Sequence, residues 1–257
     1  MRVITIGGFK GGTGKTTLAA LIGVAALKNG LRVAALDLDR NTRNLTNFLT
    51  LRRAANLPVP DRVMLMDFDR PNKREPSGRL EPLVRFARMD GYEMMIIDTS
   101  SGNQLDVYEA HLLADVILTP MNESPADLHG LFTPLNARSA PQINYRELID
   151  TARFDRKRAR MPVQRWHVVR NRVSALPTRI GSIVANRVVN LSAEVGFDGI
   201  SELRDRVAHR AISLNGRTVL DDPVEGRLTM SEVAGRSEVR AMFGSLLASP
   251  PRLAAAA

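Results

Sequence analysis

The sequence predicts an α/β fold, a doubly wound, mostly parallel sheet with helices on both faces. Three observations predict it. Apolar runs of strand length alternate with longer helical patterns from the N-terminus onward, as in successive βαβ units. The glycine-rich run Gly11-Gly12-Thr13-Gly14 joins the first apolar run to the first helical one. Acidic residues close several of the apolar runs, and a parallel sheet gathers its chemistry at the carboxyl ends of its strands.

Strands are predicted at about 2–7, 31–37, 62–68, 92–98, 115–119 and 165–170, where apolar and β-branched residues cluster between turn signals. Helices are predicted at about 15–29, 42–54, 79–89, 104–113, 124–138, 145–160, 178–194 and 231–247. Gly30 and Gly91 stand where two of these helices should stop. The polar run 71–78 reads as a loop rather than a domain boundary, and no internal repeat is present. One domain is expected over 1–248, with a disordered tail at 249–257.

Composition narrows the function. Of 257 residues, 44% are hydrophobic and 25% charged, as in an ordinary globular protein. Cysteine is absent, which excludes disulfides, thiolate metal sites and iron–sulfur clusters. His111, His129, His167 and His209 lie too far apart to pair as metal ligands and are expected to be structural or surface residues. No apolar stretch is long enough to span a bilayer, and Met1-Arg2-Val3 reads as the start of a strand, so a cytoplasmic location is expected. The net charge of +9 is concentrated: residues 138–172 carry 10 basic and 3 acidic side chains, while the flanking segments are nearly balanced.

The run Phe9-Lys10-Gly11-Gly12-Thr13-Gly14-Lys15-Thr16-Thr17 carries the first chemistry. A strand that ends in glycines and turns into a helix aims several backbone N–H groups at one point, and the helix dipole adds positive potential there. A polyphosphate suits that point, with Lys15 reaching the β- and γ-phosphates and the Thr16 hydroxyl on Mg²⁺. Phe9 occupies the place of the first glycine in the GxxxxGK[ST] pattern, and a second lysine, Lys10, stands at the loop entrance. This makes the expected sheet one of the P-loop NTPase type.

Three more strand ends contribute. The second ends in Asp37-Leu38-Asp39, and alternation places both carboxylates on one side, near the loop. The fourth ends in Asp98, a Walker B arrangement that holds Mg²⁺ through water. The sixth ends in Arg170-Asn171-Arg172, where Asn171 is suited to an adenine edge. An aspartate after a strand also serves as a helix cap. Asp67 and Asp69 repeat the same spacing after the third strand, with no role that follows from it.

Lys10 to Thr17 together with Asp37-Leu38-Asp39 resembles the ParA/MinD superfamily of deviant Walker A ATPases. The segments 110–115, 119–124, 166–172, 195–197 and 203–207 are similar to its MipZ-like, division-plane-positioning members. The resemblance spans roughly residues 2–220. It implies ATP and Mg²⁺ as cofactors, slow hydrolysis dependent on dimerisation, and a homodimer formed with ATP. Lys10 would be the signature lysine that reaches the partner's nucleotide, and Asp39 would orient the attacking water. Gly11, Gly12, Thr13, Gly14, Lys15, Thr16 and Thr17 would cradle the phosphates. Thr16 and Asp98 would serve the metal, Asp98 through water, and Asn171 and Arg172 would be the adenine-binding pair. The chain departs from many ParA proteins by reading Asp39-Arg40-Asn41 instead of Asp-Pro-Gln.

The resemblance also implies nucleoid association through non-specific DNA binding, with Arg179, Arg187, Arg204 and Arg206 in the matching region. Partners would be a ParB-type centromere-binding protein and, for a true MipZ, the division protein FtsZ. Independently, Arg146, Arg153, Lys157 and Arg160 fall within about 60° on one helix face. Such a row fits either a solvated face or phosphate contacts on DNA. A ParA that segregates plasmid DNA or other cargo, and a small-molecule ATP-dependent synthetase of the same superfold, are the alternatives. Membrane attachment by the last helix is disfavoured, because Glu232, Arg236, Glu238 and Arg240 cancel in charge.

Overall fold

The computed structural model describes residues 1–60, 62–64, 79–101, 104–132, 145–223 and 226–248. In chain order the elements are β1 (Arg2–Ile6), α1 (Lys15–Lys28), β2 (Val33–Asp37), α2 (Asn44–Ala54), β3 (Arg62–Met64), α3 (Glu81–Met89), β4 (Met94–Asp98), α4 (Gln104–Leu113) and β5 (Val116–Asn122). There follow α5 (Pro125–Phe132), α6 (Tyr145–Arg158), β6 (Arg165–Val173), α7 (Arg179–Val195), β7 (Gly199–Arg204), α8 (Val207–Arg210), α9 (Ile212–Asn215) and α10 (Met230–Leu247).

The strands form one sheet in the order β3-β2-β4-β1-β5-β6-β7, and every pair among the described residues is parallel. The sheet has seven strands where the sequence predicts six. β7 lies at an edge, and of its residues only Leu203 is fully buried, so its sequence lacks the dense apolar run that marks the central strands. The short helices α8 and α9 are also additional to the expected set. The prediction at 124–138 is met by α5 as far as Phe132, and its remainder lies outside the described residues, as do the loop 71–78, Asp67, Asp69 and the tail. Gly30 and Gly91 do end helices, with φ of 76° and 78°.

Strand alternation divides the core between the two faces. Ile4 and Ile6 of β1 pack with Leu18, Leu21 and Ile22 of α1 and with Val239, Met242 and Phe243 of α10. Val3 faces the other way, with Leu36, Ile97 and, from α3, Val84 and Ala87. Further along that side, Ile117 and Val168 meet Ile149 of α6 and Val184 and Val188 of α7. The apolar face of α10 is therefore consumed by the core, and Thr229 with Glu232 forms a capping box at its start. No helix among the described residues is long and apolar enough to cross a membrane.

A buried polar chain runs beneath the glycine loop, and its proton directions are fixed by its ends. Trp166 Nε1 can only donate, and does so to Thr119 Oγ1 at 2.9 Å. His111 Nδ1 lies 2.6 Å from the Val107 carbonyl, which can only accept. Thr119 therefore donates to Tyr145 Oη (3.1 Å), and Tyr145 donates to His111 Nε2 (2.8 Å). The chain ties β6, β5, α6 and α4 together, with Phe9 laid edge-on to Tyr145 at 5.3 Å.

Candidate active site

β1 runs between β4 and β5 at the centre of the sheet and delivers the glycine loop to the middle of its carboxyl edge. Gly12 and Gly14 adopt φ of 74° and 99°, which side chains other than glycine rarely accept. A Cβ on Gly14 would also lie 2.2 Å from Asn171 Nδ2. α1 then begins with no acidic residue in its first turn and no side-chain cap, leaving its N–H groups free for an anion. The Lys15 ammonium donates to the Lys10 carbonyl at 3.2 Å and to Ser101 Oγ at 3.1 Å. Burial pulls its pKa below the usual lysine value, against the nearby charges of Asp98 and Asp39. An incoming phosphate therefore meets a cation already stripped of most of its water.

The metal side of the loop is built from α1 and β4. Thr16 Oγ1 donates to Asp98 Oδ2 at 2.7 Å. Burial pushes the Asp98 carboxyl up to about 7; the Thr16 hydrogen bond opposes this and the charge of Asp37 adds to it. Its other oxygen, Oδ1, is buried with no partner among the described residues. Among those residues no group of three His, Asp or Glu side chains could hold a metal alone. The donor set thus fits Mg²⁺ bound together with phosphate: a hydroxyl for the ion and a carboxylate oxygen left over for one of its waters.

The two aspartates after β2 separate in role. Asp37 accepts from the backbone and hydroxyl of Thr46, both at 2.9 Å, and from Asp39 N at 3.0 Å, so it clasps the start of α2. Asp39 is turned into its own loop, taking hydrogen bonds from Asn41 N, Thr42 N and Thr42 Oγ1. It lines a cavity of about 540 Å³ with Ser100 and Ser101.

Lys10 leaves the loop sideways. Its side chain is 51% exposed, and its ammonium pairs with Asp127 of α5, whose carboxylate is only 1% exposed. Asp127 also accepts from Asn122 N at 2.9 Å.

A second cavity, of about 390 Å³, opens beyond Thr16 and Thr17 and is lined by Asn171, Arg172, Arg204 and His209 among others. Asn171 Nδ2 donates to the Thr13 carbonyl at 2.7 Å, fixing the expected base-side residue to the loop. Gly11 is exposed, while Thr13 is buried within the loop.

The arginines expected on DNA divide. Arg179 and Arg187 are exposed on α7, with Arg187 3.4 Å from Glu194. Arg204 is exposed and lines the cavity beyond Thr17. Arg206 is mostly buried and bound to Glu238 and Ser231, so it is a clamp on α10 rather than a DNA-facing cation. The basic segment is likewise partly structural. Arg153 lies over Trp166 at 5.5 Å and donates to Gly196 O, and Arg156 is buried against the carbonyls of Leu112 and Ala114. Arg165 pairs with Asp198, and Arg170 sits between Glu123 and Glu202.

Sequence reasoning assigns no role to Ser101 or Asp127, and reads His209 only as a structural or surface residue. Ser101 was within reach as part of the polar run after Asp98. Asp127 reads as an ordinary acid in the first turn of a helix. His111 and His167 are structural as expected; burial lowers both to about 4. The side chain of His129 lies outside the described residues.

Comparison with known proteins agrees with this fold. The sequence profile described as ATPase MipZ matches residues 2–249. The solved structure of apo McdA from Cyanothece is similar at 16% identity and a TM-score of 0.63, over 96% of this chain and 100% of that one. MinD from Aquifex aeolicus is similar at 20% identity and 0.57, over 98% and 99%. The septum site-determining protein MinD from Pyrococcus horikoshii, complexed with Mg-ADP, is similar at 19% and 0.57, over 98% and 99%. At these identities the structures speak for the fold, that of the MinD-like P-loop ATPases. No curated protein matches the sequence. With the deviant loop and its paired lysines in place, the match over nearly the whole length settles the family: the chain belongs to the MipZ ATPases.

Proposed function

We propose that this ATPase is a dimerising switch whose ATP-bound dimer binds DNA non-specifically and positions the division plane through a ParB-type protein and FtsZ. The observation that carries the reading is Lys10: a lysine at the loop entrance whose side chain is half exposed and whose ammonium reaches out of its own loop to Asp127. A cation so placed can enter a neighbour's site without unfolding anything.

Within one protomer, the loop N–H groups and Lys15 bind the phosphates, and Thr16 with Asp98 serves Mg²⁺, which when bound neutralises charge on the phosphate oxygens. Asp39 releases its hydrogen bonds with Asn41 and Thr42 to orient a water at the cavity it shares with Ser101. Lys10 of the second protomer then stabilises charge on the transferring phosphoryl group, so hydrolysis waits for the dimer. Exposed Arg179 and Arg187 on α7, with Lys157, Arg158 and Arg160 at the end of α6, supply cations for DNA phosphates.

Size exclusion with light scattering tests the switch. Lys15→Ala should bind no nucleotide, while Asp39→Ala should hold ATP as a stable dimer. An Asp39→Ala protein that binds ATP and remains monomeric would sink the proposal.

A further inference from the structure

We infer that His209 reads the base of the bound nucleotide, as a hydrogen-bonding residue in the cavity beyond Thr17; this rests on the nucleotide reading of that cavity. His209 is 8% exposed and lines the cavity together with Thr17, Asn171 and Arg172. Among the described residues neither of its ring nitrogens has a hydrogen-bond partner, although both are buried. A buried polar group in that condition is costly to keep. The structural histidines each keep a partner. His111 engages both nitrogens, at 2.6 and 2.8 Å. His167 engages Nε2 with Ser201 Oγ at 2.8 Å, although its Nδ1 has none among the described residues, whereas His209 engages neither. His209 has the burial of a core residue without the partners of one.

The cavity suits a base on its walls as well as its edge. Phe48 and Ile212 supply apolar surface, and Asn171 and Thr17 supply polar atoms. The glycine loop, which would take the phosphates, borders this cavity at Thr16 and Thr17, and burial lowers the His209 pKa, so the ring enters neutral and is not an anion site. A neutral imidazole carries one donor and one acceptor, and a purine edge offers both complements. The charges nearest the ring, Glu238, Arg206 and Asp205, include the clamped Arg206–Glu238 pair.

The test measures affinities of the full-length protein for ATP, 7-deaza-ATP (lacking N7), ITP (lacking the 6-amino group) and 2′-deoxy-ATP. Wild type, His209→Leu and His209→Gln are compared, with Lys15→Ala as the control for binding through the loop. In the wild type at least one base analogue should bind about 5- to 10-fold more weakly than ATP. In His209→Leu that gap should close to within about twofold, with ATP itself weakened about 10-fold. His209→Gln, which keeps a donor and an acceptor, should restore part of the gap.

Thermal melts separate this from a structural role. Without nucleotide, His209→Leu should melt no lower than the wild type, because it removes an unpartnered polar group, while the shift on adding ATP should shrink. No ATP binding by the wild type would overturn the nucleotide reading and this inference together. ATP binding with an unchanged base-analogue gap in His209→Leu, or a wild type with no such gap, would overturn the inference alone. So would a closing gap for 2′-deoxy-ATP only, which would move the contact to the ribose.

Discussion

Lys10 and Asp127, 117 positions apart in the chain, form an ion pair that ties the entrance of the glycine loop to the first turn of α5. The lysine side chain is half exposed, and Asp127 keeps the Asn122 N–H as a partner without it, so the pair contributes only about 0–1 kcal/mol to stability. Its use is in placement. Lys10→Ala should therefore leave the urea midpoint and ATP affinity nearly unchanged, yet cut turnover about 100-fold or more, the scale of removing one transition-state cation. Steady-state hydrolysis at several protein concentrations checks this, and turnover within about threefold of the parent would show that the lysine is only a loop anchor.

Thr16 and Asp98 make a parallel prediction for the metal. Thr16→Ala removes the hydroxyl that bonds Asp98 at 2.7 Å, while the loop N–H groups and Lys15 remain. Affinity for ATP in EDTA should change little, whereas the gain on adding Mg²⁺ should fall about 10-fold, the worth of one charge-assisted hydrogen bond. Titration calorimetry with and without Mg²⁺ reads the difference directly. An undiminished Mg²⁺ gain would remove Thr16 from the metal site.

The legible part of this protein is the part whose chemistry is contiguous in sequence. The loop from Lys10 to Thr17 and Asp98 at the end of an apolar strand could be placed, because glycine spacing and strand ends are local signals. Asp127, Ser101 and His209 could not, because their roles arise only when strand order brings α5, the segment after β4 and α8 to one edge. β7 was missed for a related reason: an edge strand with little fully buried surface writes no strong pattern. The basic segment misled in part, since Arg153, Arg156, Arg165 and Arg170 spend their charge on internal carbonyls and carboxylates. Composition reports charge and says nothing about which of it faces water.

His111 and His167 set an acid limit on the fold. Both are buried and lowered to about 4, while the unfolded chain titrates near 6.5. As pH falls below 6.5 the unfolded chain takes up protons before the folded one, so stability is full above that value and is lost as pH drops through 4. Each ring accounts for about 3 kcal/mol at most. Urea midpoints should fall steadily between about pH 6.5 and 4, and His111→Gln should flatten the slope by about one proton. Asp98, raised to about 7, takes up a proton in the folded chain over the same range and offsets about one ring. An unchanged slope in His111→Gln would therefore show that its ring is not protected.

Arg52 and Asp221 carry the largest stability prediction. The guanidinium is fully buried and grips the carboxylate with both terminal nitrogens, at 2.6 and 2.7 Å, joining α2 to the segment after α9. Burial pushes the Asp221 carboxyl up, but Arg52 and Thr218 together hold it below its usual range. Asp221→Ala would strand the arginine charge and should cost about 3–5 kcal/mol. The double variant Arg52→Met, Asp221→Ala should recover part of that loss, because no unpaired charge remains. Denaturant melts of Arg52→Met, Asp221→Ala and the double variant give the coupling, and simple additivity would show that the pair acts independently.

The proposed DNA binding should separate arginines by their place in the fold. Arg179 and Arg187 stand exposed on α7, while Arg206 is spent on Glu238. With the Asp39→Ala protein held as its ATP dimer, the affinity for mixed-sequence duplex should fall log-linearly with salt. Replacing Arg179 or Arg187 by Ala should lower that slope by about one for each phosphate no longer neutralised, without altering sequence preference. Arg206→Ala should lower the melting temperature and leave the slope alone, because its charge is held by Glu238. Fluorescence anisotropy between roughly 50 and 200 mM salt, where phosphate-driven binding weakens steeply, distinguishes the two classes. An unchanged slope in the Arg179 and Arg187 variants would move the DNA surface off α7 and leave Lys157, Arg158 and Arg160 of the basic segment as the next cations to remove.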